Sequence, residues 1–61
     1  MSEDGFKLLK VLVLGPKSLE VLGDYAKEDN FDLDVALSEL RGYGLLDESD
    51  VGLLDLAKDE L

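Results

Sequence analysis

The chain of 61 residues contains no cysteine, no histidine, no tryptophan and a single proline, and it sets only six basic residues against fifteen acidic ones. Without cysteine there is no disulfide framework and no thiolate metal site. Without histidine the commonest general base and the commonest zinc ligand are both missing, so nucleophile–base catalysis of the serine or cysteine type is excluded. Long apolar runs are also lacking: the longest, Val11-Leu12-Val13-Leu14, falls far short of the roughly 20 residues that span a bilayer. The opening Met1-Ser2-Glu3-Asp4 is acidic where a secretory signal needs a basic start and a longer apolar stretch. A cytoplasmic domain without membrane association is therefore expected. Lys58-Asp59-Glu60-Leu61 spells an endoplasmic-reticulum retention string, which has nothing to act on without an entry signal and reads as an acidic helix end.

What is present is apolar: 46% of the residues, too many for intrinsic disorder. The length suits one small domain near the lower limit for an unaided core. The boundaries expected are a flexible N-terminus over residues 1–5 and a single domain over 6–61. A first segment, Phe6 to Leu14, is stopped by Gly15-Pro16, the usual punctuation of a helix end. Its apolar residues cover a wide arc and Lys7 and Lys10 take the rest, which favours a helix over a strand at Lys10–Leu14. Ser18 is a good N-cap for a second, amphipathic helix from Leu19 to about Lys27, with Leu19, Leu22 and Ala26 on one face. Glu28-Asp29-Asn30 reads as a polar connector.

The third segment has the clearest period. Leu33, Leu37 and Leu40 recur at helical spacing, Ala36 joins them, and Gly44 stands ready for a left-handed exit. Beyond it two readings stay open. Leu45-Leu46-Asp47 can pair with Gly52-Leu53-Leu54 as a short hairpin. Alternatively, Ser49 or Asp50 caps a final helix carrying Leu53, Leu54, Ala57 and Leu61, and the two coexist if a minimal hairpin runs straight into a short helix.

Gly15-Pro16-Lys17-Ser18-Leu19-Glu20, followed by Leu33-x-x-x-Leu37-x-x-Leu40-x-x-x-Gly44-Leu45-Leu46, resembles the winged helix-turn-helix family over about Leu8 to Leu56. The resemblance implies a mainly α, three-helix winged helix-turn-helix-like domain with a short or vestigial β-hairpin wing; a generic helical bundle is the competing architecture. In DNA-binding members the exposed face of the third helix enters the major groove. Carried over, that face comprises Phe31, Asp32, Asp34, Val35, Ser38 and Glu39, with Arg41 the one base at its far end.

Residues 1–17 sum to +1 and residues 18–61 to −10. The acidity thus lies in the half where DNA would sit, and carboxylates facing a polyanion are repelled. A solvated acidic face that keeps a small domain soluble is the plainest reading of that excess. The expectation is instead a non-enzymatic interaction module that docks a basic protein partner through its third helix, with Phe31 and Val35 as apolar anchors among the acids. For Phe31 a hydrophobic staple is favoured over the anchor, since a small domain rarely spares a phenylalanine: with Asp32 as N-cap, it folds back onto Ala36. The alternative function is a DNA-binding regulator using Lys7, Lys10, Lys17 and Arg41; a second alternative is a DNA-mimicking inhibitor. The wide apolar arc of the first helix also suggests a homodimer through that helix.

Enzyme chemistry, cofactors and a dedicated metal site are not expected. Asp29/Asp32/Asp34 and Asp47/Glu48/Asp50 supply carboxylates, but neither group has the spacing of a calcium loop. Carboxylate pairs for glycoside cleavage need a cleft that so short a chain leaves little room for.

Overall fold

Ser2, Ser18 and Asp32 each start a helix by the same device: a side-chain oxygen accepts the backbone N–H three residues on, one of the donors a helix start leaves without a partner. In the computed structural model, which describes residues 1–57, the elements in chain order are α1 (Glu3–Val13), β1 (Lys17–Ser18), α2 (Leu19–Asp29), α3 (Leu33–Gly42), β2 (Leu46–Glu48) and β3 (Leu53–Leu56). The described residues form a small, mostly helical domain of three helices and a three-stranded antiparallel sheet.

Helix α1 opens at Glu3, three residues before the expected start at Phe6. Residues 3–5, expected to be flexible, form its first turn, with Ser2 as cap and Glu3 and Asp4 complementing the positive end of the helix dipole. Helix α2 likewise runs past Lys27 to Asp29, so Glu28 and Asp29 belong to the helix and not to a connector. It stops because Asn30 takes the left-handed conformation (φ 59°, ψ 56°), which lets the Phe31 N–H donate to the Ala26 carbonyl at 3.0 Å. Gly44 (φ 71°) ends α3 in the same way, with Leu45 N–H donating to the Leu40 carbonyl at 2.8 Å and Gly44 N–H to the Arg41 carbonyl at 3.0 Å.

The sheet order is β1-β3-β2, so the last strand in sequence is the central one. Lys17 and Ser18 pair with Leu54 and Leu53, while Leu46, Asp47 and Glu48 pair with Leu56, Asp55 and Leu54. The hairpin expected from sequence therefore forms, but shifted: the turn is Ser49–Gly52, and β3 extends to Leu56. Gly52 (φ 82°) supplies the positive φ of that turn, and the Ser49 hydroxyl accepts from Leu53 N–H at 3.3 Å. Leu53 and Leu54 are strand residues, which replaces the reading that placed them in a final helix. Leu61 and the string Lys58–Leu61 lie outside the described residues.

Leu8, Val11 and Leu12 of α1, Leu22 and Ala26 of α2, Ala36, Leu37 and Leu40 of α3, and Leu54 of β3 form one core. Helix α1 sits at its centre, packing chiefly on α3 and also on α2 and β3. Four leucines (Leu8, Leu12, Leu22 and Leu40) are fully buried, each contributing about 1.5–3 kcal/mol through removal from water.

Candidate partner-binding surface

The surface expected to carry function begins at the α2–α3 turn. Asp32 caps α3, its Oδ1 accepting Val35 N–H at 3.3 Å, and Asp34 follows in the first turn. With Asp32 as cap, Phe31 and Ala36 occupy the two staple positions, and both lie in the core cluster; Phe31 is only 8% exposed. This bears out the staple and removes Phe31 from the residues expected to contact a partner. The wheel that pointed it away from the leucine stripe assumes helical geometry, but Phe31 precedes the cap in non-helical backbone and turns inward.

Val35 remains on the surface at 42% exposure, and Asp34, Ser38 and Arg41 are exposed at helical spacing around it. Glu39 is differently engaged. Both of its carboxylate oxygens accept from Ser2 N–H at 3.1 Å, and Oε1 accepts from the Ser2 hydroxyl at 2.6 Å. The hydroxyl hydrogen bond, aided by the Ser2 backbone N–H, holds the Glu39 carboxyl below the ordinary glutamate range against a smaller upward push from desolvation. Glu39 therefore clasps the start of α1 onto α3. Gly5 lies under this clasp, where a Cβ would collide with Glu39 Oε1 and stand 2.8 Å from Met1 Cγ.

One carboxylate of this surface escaped the sequence reading. Asp4 Oδ1 accepts from Asp32 N–H at 3.1 Å, bringing an α1 acid to the start of α3. The signal was present in Ser2-Glu3-Asp4, a cap followed by acids. The acidic surface thus comprises Asp4, Asp32 and Asp34 around Val35 and Ser38. Asp47, Glu48 and Asp50 on and beside the hairpin are exposed as well.

The basic residues are dispersed. Lys7 and Lys10 line a cleft between α1 and α2 together with Leu14, Tyr25, Glu28 and Asp29. Lys7 Nζ donates to the Asp29 carbonyl across it at 3.0 Å. Lys17 is on β1, its Nζ donating to the Gly15 carbonyl at 3.2 Å, and Arg41 is in the last turn of α3. Neither Lys17 nor Arg41 lines that cleft.

Among the described residues, no group of three or more carboxylates is placed to hold a metal ion, and no helix is long and apolar enough to cross a membrane. No family model, curated protein or solved structure matches the chain.

Proposed function

We propose that the chain is a non-enzymatic interaction module of winged helix-turn-helix type that docks a basic protein partner through the exposed face of α3. The architectural part rests on the order helix–strand–helix–helix–strand–strand, with β1 joined to β3 and β2–β3 as a short wing. The functional part rests on one observation: the half-exposed Val35 is flanked by Asp34 and Asp32, with Asp4 drawn to the same helix start. A lysine or arginine side chain lays its aliphatic stem on Val35 and its charged head on these carboxylates.

Titration of the full chain with a lysine-rich peptide, followed by amide NMR shifts, tests the proposal. Shifts should centre on Asp34, Val35 and Ser38 and weaken as salt rises, and Asp34→Lys should reduce affinity severalfold. Duplex DNA at low salt is the control. Binding of DNA that strengthens as salt falls, centred on Lys7, Lys10, Lys17 and Arg41, would sink the proposal in favour of a DNA-binding regulator. Displacement of DNA from a basic protein, without DNA binding, would identify the α3 face as a phosphate mimic.

A further inference from the structure

The cleft between α1 and α2 has a charge pattern unlike the rest of the surface. Its α1 rim carries Lys7 and Lys10 and its α2 rim Glu28 and Asp29, with Leu14 and Tyr25 between them. Adjoining hollows extend it to Phe6 on one side and Val21 on another. Leu14 in the cleft is 71% accessible and Phe6 in the adjoining hollow 57%, while Tyr25 is half-buried and Val11 buried at the cleft floor. The buried Val11 forms part of the cleft lining, while Phe6 and Leu14 lie outside the α1 core residues Leu8, Val11 and Leu12.

We propose that this cleft is a self-association surface that seats the same cleft of a second copy of the chain, with a two-fold axis running along the cleft. Symmetry selects the occupant. An axis along the cleft exchanges the two rims while preserving position along them, so each basic α1 rim meets the partner's acidic α2 rim. An axis across the cleft would stack lysine on lysine and is rejected. Lys10 and Glu28, both exposed and lining the same cleft, therefore face each other twice, once on each side of the axis. Leu14, at the end of α1, and Tyr25, on α2, are exchanged by the same axis, so each closes against the other residue of the second copy. The α3 face offers no such match, because acid there would meet acid. With a net charge of −9, two copies repel at long range, and only a surface with both signs lets them close. Added salt screens that net repulsion more than the short, partly desolvated rim pairs, so association strengthens with salt, opposite to docking on α3.

Sedimentation equilibrium of the full chain, from micromolar to millimolar concentration, gives the test. The expected result is a dimer that Lys10→Glu and Glu28→Lys each weaken by more than about tenfold. The double variant Lys10→Glu/Glu28→Lys should regain it, because the swapped rims again oppose. Circular dichroism of the variants, both at exposed positions, should keep the helical signal of the parent. A monomer throughout the range overturns the proposal. So does a dimer indifferent to both single changes, or a double variant that stays monomeric.

Discussion

The α3 face and the α1–α2 cleft use similar materials, apolar side chains beside charges, in opposite arrangements. Around Val35 the neighbouring acids Asp4, Asp32 and Asp34 are of one sign, with Arg41 further along the helix. In the cleft the rims differ in sign. A one-sign surface repels its own copy and selects a partner of opposite charge, whereas a two-sign surface can be its own complement. Which partner a surface takes is thus decided by how its charges are distributed, and exposure only makes the contact available.

The largest perturbation of this contrast removes the support beneath one side. Phe31→Ala should cost about 3–5 kcal/mol, because a buried ring is lost and a cavity remains. In so small a domain that abolishes the cooperative urea transition seen by circular dichroism. A variant that stays folded would return Phe31 to the surface. Gly23→Ala works in the other direction: beyond the backbone of its own helix nothing lies within 4 Å of the added Cβ and the residue is inside α2, so the gain should be about 1 kcal/mol. A higher urea midpoint with both surfaces unchanged would provide a background for the weaker variants; a lower midpoint would contradict the open space seen at Gly23.

Smaller effects come from the carboxylates. Asp47 and Asp55 face each other across β2 and β3, a like-charge pair whose relief by Asp47→Asn should gain about 0.2–1 kcal/mol, less at high salt. An unchanged midpoint at low salt would show that the two carboxylates, turned to the Glu48 and Leu56 N–H groups, do not feel each other. The Glu39 clasp should set a pH dependence. Its folded-state pKa is lowered, so its stabilisation is present above the unfolded-state value and fades as pH falls through the folded one. Glu39→Gln should flatten that part of the acid-side stability profile. A profile of unchanged slope would show the clasp to be energetically silent.

Much of this fold is legible before any coordinates. Ser18, Asp32 and Gly44 mark helix ends through local chemistry that acts within a few residues, and the Leu33/Leu37/Leu40 stripe declares its buried face. The missed features are of another kind. Strand β1 is two residues long and exists only because β3, far along the chain, pairs with it; no periodicity can announce it. The reach of α2 to Asp29 depends on Asn30 accepting a left-handed backbone, where sequence habit looks for glycine. At the candidate surface, Asp34, Val35 and Ser38 were readable from the wheel. Phe31 was readable from the staple spacing and not from the wheel, and Glu39 from neither, since its partner, Ser2 across the fold, is tertiary.

The central position of β3 bears on the order in which the fold can be completed. Residues 17–18 and 46–48 both wait for residues 53–56 before either edge is satisfied. Without β3 the three helices would cover a core lacking Leu54, and helices of 10 or 11 residues are marginal without such packing. The sheet therefore closes from both sides of one strand, and its β1–β3 half is a non-local pairing whose loop-closure entropy must be met before it contributes.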